Sequence, residues 1–511
     1  MIEREWREAS DLRTSRVALA IVLIAAAVLR FWALDRGIPY AVQIDEPEII
    51  ERAFNMMRSG SLNPQGFFDY PALSIYVQLV VSVIRFVAGA IGGEWSSLAQ
   101  VSGGDFYLWG RAVTAACGVA TVLLVYQIGM RWGARHALLA AGLLAVLPLH
   151  VRYSHYVLAD TLQTFFVTLT FLLALVAHER NTLRAFAAAG AAAGLAAATK
   201  YSGGIAVILP LLACWMTVPA RPSRMKAGLA ILAATMAVFL AAAPYTLLDL
   251  PGFLNAFARL ANEYRVTPAE SPTVVYSKLL LRHAFQWPAL LLAVGGLGLG
   301  IVRLVRGPGR VRWALAVVFP VVYLWMIRGQ GLVFARYLLP VVPPLCVLAA
   351  TAVVSGVSLL RRYEIPRAPR TALIAGLTIA ALLPPALVSI QWVRGAARTS
   401  TVDLAYDWVL SHVPRQSVVA IESRALLLPA SYRSRNVSQL RQLEYADWRD
   451  QKVDYLIASS EYYSRYFESP EKYPREYAEY MRIFEQSREL VRFSPSKDTP
   501  GPELRVFKVV P

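Results

Sequence analysis

Runs of apolar residues long enough to cross a bilayer recur from residue 17 to residue 392 and then stop. A membrane-spanning helix needs about 20 such residues. Runs near that length fall at 17–34, 106–130, 136–152, 160–178, 184–199, 203–219, 226–247, 286–304, 313–328, 336–359 and 371–392. The pattern predicts an α-helical polytopic membrane protein with about eleven transmembrane helices. One more apolar segment, Pro71 to Ile91, carries Gln78, Ser82 and Arg85, which suit the interface. Counting it as a crossing would invert every later loop, so it reads as a juxtamembrane or re-entrant helix, with an ordinary second crossing as the alternative. Beyond residue 393 the chain turns polar and Tyr-rich, and helical periodicity alternates with short apolar strands at Ser417–Ile421, Val453–Ala458 and Leu504–Val509. That predicts a small C-terminal α/β domain at 393–511, following a membrane domain at 1–392.

The loops set the expected orientation. Basic clusters lie at Arg131 to Arg135, His178 to Arg184, Arg221 to Lys226, Arg303 to Arg312 and Arg361 to Arg370, and the N-terminus carries Arg4, Arg7, Arg13 and Arg16. The positive-inside rule places all of these in the cytoplasm and the C-terminal domain outside, in a multi-pass plasma (inner) membrane protein. The first apolar run lacks a clear small-residue cleavage site and is expected to stay as the first helix.

Composition agrees with the pattern. With 56% apolar residues, 17% charged residues and a mean hydropathy of +0.45, the chain is no ordinary soluble domain. Its net charge of +17 is scattered over short loops rather than gathered on one face, which favours topology over nucleic-acid binding. Cys117, Cys214 and Cys346 all sit in apolar runs, where a thiol acts as a small hydrophobe, so neither a disulfide framework nor a cysteine metal site is expected. The Ala- and Gly-rich stretch Ala185 to Thr199 predicts close helix–helix approach.

The expected outer loops carry most of the polar chemistry: Asp45 and Glu46 after the first helix, Arg152-Tyr153-Ser154-His155 to Asp160, Lys200-Tyr201, and Arg336-Tyr337. Ionised groups at a membrane are costly to keep, and they mark function by default. Ordinary roles compete at three of them. Asp160 suits the cap of the helix that follows, Lys200 the C-terminus of the helix before it, and His155 a helix end rather than a metal, since no second histidine lies at ligand spacing.

Together these residues suit a lipid-linked phosphate. Arg336 and Lys200 could hold phosphate oxygens, with Arg152 beside them, and Asp45 could take a proton from an attacking hydroxyl. Glu46 cannot point the same way from an extended segment and reads as a positioning residue, while Tyr201 reads as support. The order of features resembles the membrane glycosyltransferases of the GT-C superfamily, in the group of the protein O-mannosyltransferases and the aminoarabinose transferases acting on lipid A. The resemblance rests on Ile44-Asp45-Glu46, Asp69-Tyr70-Pro71-Ala72-Leu73, Arg111, Arg152 to Asp160, Thr199-Lys200-Tyr201-Ser202-Gly203 and Arg336-Tyr337-Leu338-Leu339-Pro340, and spans about residues 15–350. It implies a GT-C fold with juxtamembrane helices, a polyprenyl-phosphate sugar donor, an extracytoplasmic site and Asp45 as catalytic base.

The reading is therefore a hexosyl- or pentosyltransferase acting on a protein, lipid or polysaccharide acceptor among membrane lipids. A transporter or flippase of lipid-linked sugars is the rival, although repeated halves and midplane polar residues are not evident. An inactive scaffold is a third reading. The paired carboxylates are compatible with an assisting divalent cation, but no ligand-rich motif calls for a metal or another cofactor.

Overall fold

The apolar runs fold as helices in the computed structural model, which describes residues 2–38, 45–218, 221–265, 270–360, 367–423, 425–429 and 431–510. Gln43 and Ile44 of the acidic motif, and Arg361 and Arg362 of the last basic cluster, lie outside the described residues. The chain divides into two compact units, one of Met1–Leu34 with Glu48–Trp392, the other of Asp35–Pro47 with Val393–Pro511.

Eight helices among the described residues are long and apolar enough to cross a membrane. Seven fall on expected crossings, and the eighth is Leu73–Ile91. Three other expected crossings are shorter apolar helices, Ala134–Val146, Leu183–Thr199 and Tyr201–Thr217. The first of these is cut short by Pro148, which has no N–H to continue the ladder. The carbonyls freed at its end accept from the buried guanidinium of Arg30, at 3.0 Å for Leu144 and 2.9 Å for Ala145, and Val146 accepts from Ser389 at 2.6 Å.

Leu73–Ile91 is amphipathic in an inverted sense. Gln78 and Ser82 are buried against the protein rather than turned to headgroups, which corrects the interfacial reading of those two residues, while Val80, Val83, Ile84 and Val87 are exposed. Gln78 lies close over Gly110, where a Cβ would stand 2.6 Å from Gln78 Oε1 and push that side chain aside. The Ala/Gly helix Leu183–Thr199 does pack closely, against Arg221–Ala242. A Cβ on Gly190 would lie 2.5 Å from the Ile231 carbonyl oxygen, and Thr235 Oγ1 donates to the Gly190 carbonyl at 2.9 Å.

Among the described residues the second unit is built on five strands, β1 (Val418–Glu422), β2 (Arg433–Val437), β3 (Tyr455–Ser459), β4 (Arg488–Phe493) and β5 (Leu504–Lys508), in the order β2-β1-β3-β5-β4. β1 runs parallel to β2 and β3, and β5 runs antiparallel to β3 and β4. Helix Thr401–His412 packs Val402, Ala405 and Val409 against Ile421 and Ile457; Tyr480, Ile483 and Phe484 of helix Pro474–Gln486 join Ala420, Leu456 and Ala458 in a second cluster. The apolar strands β1, β3 and β5 were legible as sequence. β2 (Arg-Ser-Arg-Asn-Val) is an exposed polar edge without alternation, and β4 is only half-buried. Buried Glu422 accepts from Ser459 N at 2.9 Å, Leu440 N at 3.0 Å and the Tyr480 hydroxyl. Burial raises its pKa, and those three hydrogen bonds only partly oppose the shift.

Candidate active site

Asp160 is the centre of the charged cluster in the helical unit. It stands in the first turn of helix Ala159–Arg180, where the N-terminal dipole favours an acid, but Leu158 is the cap residue, so capping is not its role. Its side chain, 5% exposed, accepts from Lys200 Nζ at 2.6 Å and lies 3.7 Å from Arg336 Nε. Lys200 closes the Ala/Gly helix and also lies 4.3 Å over the ring of Tyr337. Arg336 opens the apolar segment that leads into helix Val342–Leu360, with its guanidinium 4.3 Å over Phe334. Three sequence-predicted residues thus meet, and one buried carboxylate sets the position of two cations.

Beside them is a cavity of about 240 Å3, into which Lys200, Tyr201 and Asp69 project with Phe257, Tyr264 and Tyr337. Tyr201 donates to the Phe68 carbonyl at 3.1 Å and packs on Phe253 and Phe257. Tyr264 and Tyr337 share a hydroxyl–hydroxyl hydrogen bond of 2.8 Å. Asp69 is paired with Arg259, which also reaches Glu263 at 2.8 Å. The cavity therefore combines an aromatic wall with one cation, Lys200, and one carboxylate, Asp69, and it can take an anion carrying an apolar or ring-shaped body.

Arg259, Tyr264 and Phe257 were missed in the sequence because their segment is too short and too polar to cross a membrane. The signal was present. Asp249 caps helix Leu250–Glu263 by accepting from Gly252 N at 3.1 Å, Pro251 follows in the first turn, and Leu250, Phe253, Leu254, Phe257 and Leu260 recur at helical spacing.

Two other predicted residues are placed elsewhere. His155 is buried, with its ring nitrogens 2.9 Å from the Val151 carbonyl and 3.1 Å from the Trp32 carbonyl, and its ring stands edge-on to Trp392. Burial lowers its pKa to about 4, so the neutral ring donates to one of those carbonyls and ties the first helix to its neighbours. Arg152 is exposed and lines a different, smaller cavity. Asp45 and Glu46 belong to the segment Asp35–Pro47, which groups with the second unit; Asp45 is half-buried and Glu46, opening helix Glu46–Ser59, is fully buried. Arg111 is buried and donates to the Leu34 carbonyl at 2.8 Å. Among the described residues, no three His, Cys, Asp or Glu side chains gather so as to hold a metal ion.

Residues 102–247, which include Arg111, Asp160 and Lys200, match the family model described as dolichyl-phosphate-mannose-protein mannosyltransferase. No curated protein sequence matches the chain. Among solved structures, the apo oligosaccharyltransferase of Archaeoglobus fulgidus is similar in fold, with a TM-score of 0.57 at 13% identity over 96% of this chain and 74% of that one. ArnT of Cupriavidus metallidurans, solved with undecaprenyl phosphate bound, gives a TM-score of 0.55 at 14% identity over 97% of both chains. The chain thus carries, over residues 102–247, a segment similar to that mannosyltransferase family, and it shares along nearly its whole length the fold of these two solved structures, with eight helices among the described residues long and apolar enough to cross a membrane.

Proposed function

We propose that the protein moves a sugar from a polyprenyl-phosphate donor to an acceptor hydroxyl at the extracytoplasmic face of the membrane. The observation that carries this reading is the pair of cations, Lys200 and Arg336, set by buried Asp160 beside an aromatic-walled cavity. A phosphate is the group such cations suit, and a hydrocarbon-linked phosphate is the form a membrane protein meets. ArnT is bound to undecaprenyl phosphate in its structure, and the matching family model is described by a dolichyl-phosphate sugar, which support the same donor class here.

In the proposed step, the acceptor oxygen attacks the anomeric carbon while a carboxylate takes its proton. The bond from that carbon to the phosphate oxygen breaks, and polyprenyl phosphate leaves with the electron pair, its charge met by Lys200 and Arg336. Asp45 is assigned as the base, on the sequence argument and the family resemblance alone, with Glu46 as a positioning group. Residues 1–392 are proposed as the transferase domain, with the N-terminus cytoplasmic and residues 393–511 extracytoplasmic, on the distribution of basic loops. The acceptor class, whether protein, lipid or polysaccharide, is left to the assay.

The test is release of free polyprenyl phosphate from a panel of polyprenyl-phosphate sugars by purified protein, with membrane extract supplying acceptors. Asp45→Asn is expected to lower turnover by about a hundredfold or more, the scale of general-base catalysis, with donor binding retained. Donor binding without release by the unaltered protein, across varied acceptors, would point instead to a transporter or scaffold. Full turnover by Asp45→Asn would remove that residue from the mechanism.

A further inference from the structure

A second cavity in the helical unit shares no lining residue with the first. It measures about 90 Å3, and its lining joins three basic side chains, Arg152, Arg282 and His283, to apolar ones that include Leu149, Val388 and Trp392. Among the described residues the lining contains no carboxylate, and neither arginine side chain has an ion-pair partner. Like charges gathered on one small space raise its potential and favour an anion.

Its place along the chain says what kind of anion. Arg282 and His283 lie in a π-helical turn, Leu280–Phe285, a form that recurs at functional sites, immediately before the membrane-length helix Trp287–Arg306. Trp392 stands near the end of another, Arg367–Ala396. Trp287 is exposed, and tryptophans at helix ends mark the headgroup level of a bilayer. On the same two helices Leu291, Val294, Leu383, Leu387 and Ile390 are exposed. Cations at headgroup depth beside apolar helix faces form a receptor for an amphiphile.

We propose that this cavity holds the phosphate of a membrane amphiphile, with Arg152 and Arg282 on its oxygens and its hydrocarbon chain along the exposed faces of helices Trp287–Arg306 and Arg367–Ala396. The shared chemistry is a phosphate on a long hydrocarbon, supplied by a phospholipid as a diester or by a polyprenyl phosphate as a monoester. The site is separate from the Lys200 cavity and stands whether or not that cavity binds a sugar donor.

Native mass spectrometry of the full-length protein in detergent tests it, with phosphatidylglycerol and undecaprenyl phosphate as probes and zwitterionic phosphatidylcholine as reference. Arg152→Gln/Arg282→Gln is expected to weaken retention of one anionic probe by about tenfold or more, the scale of a charge-assisted hydrogen bond, with phosphatidylcholine unaffected. Loss confined to phosphatidylglycerol identifies a phospholipid site; loss confined to undecaprenyl phosphate identifies a polyprenyl-phosphate site. Unchanged binding of both overturns the proposal. So does disappearance of the effect in a Lys200→Ala background, since the probe would then have been read at the other cavity. If the double variant does not fold, Arg282→Lys keeps the charge and removes the bidentate fork, and it must still weaken the same probe.

Discussion

Asp160 and Lys200 offer a quantitative test of how the candidate site is held. Their side chains are 5% and 16% exposed and meet at 2.6 Å, whereas Arg336 approaches the other Asp160 oxygen only to 3.7 Å, beyond hydrogen-bond range. Exposed ion pairs couple by about 0.2–1 kcal/mol, and close, desolvated pairs by about 1.5 kcal/mol or more. The partial exposure of Lys200 trims that figure, so a coupling of about 1.5–2 kcal/mol is expected for Asp160 with Lys200 and below about 1 kcal/mol for Asp160 with Arg336. Asp160→Asn alone should cost about 3 kcal/mol, because it breaks a buried pair from one side. The assay is a double-mutant cycle on unfolding free energy in mixed micelles, using Asp160→Asn with Lys200→Met and, separately, with Arg336→Gln. An Asp160–Lys200 coupling under about 0.5 kcal/mol, or a larger coupling to Arg336, would refute the view that the short contact is the organising one.

Further outcomes follow from the same geometry. Lys200→Ala should raise the donor KM by about tenfold to a hundredfold with less effect on kcat, the loss of one charge-assisted hydrogen bond to phosphate, checked by steady-state kinetics of polyprenyl phosphate release. Gly190→Ala places a methyl against the Ile231 backbone and should destabilise the helical unit by about 1–3 kcal/mol, read from thermal unfolding in detergent. Glu422, whose pKa is raised in the folded domain, contributes stability that is complete below the ordinary carboxyl value of 4.5 and fades as pH rises through the folded value. The stability of the natural chain relative to Glu422→Gln should therefore grow as pH falls from 7 towards 4.5, measured by hydrogen exchange of β3; an opposite slope would contradict the raised pKa.

How far the site could be read depended on what each residue does locally. Asp160, Lys200 and Arg336 stood out because charge beside an apolar run is expensive wherever the chain folds. Nothing local separated them from Arg152 or His155, which have the same residue types in the same expected loops. The structure separates them: Arg152 lines the second cavity, and His155 fastens carbonyls near the ends of two helices. Arg30 went unremarked because a basic residue closing a membrane helix looks ordinary, yet its buried guanidinium satisfies carbonyls left open by Pro148. Arg259 escaped notice because its helix is amphipathic and short.

Membrane class, most of the long helices and the central strands of the second unit were determined by the sequence alone. They depend on length, composition and periodicity, and lipid or a sheet face reads those properties one segment at a time. Only the tertiary structure decided that Leu73–Ile91 turns Gln78 and Ser82 inward, and that Lys200 reaches an aspartate 40 residues away. The reason is physical: a buried charge is stable only with a partner, and chain distance carries no information about which partner the packing of helices will deliver.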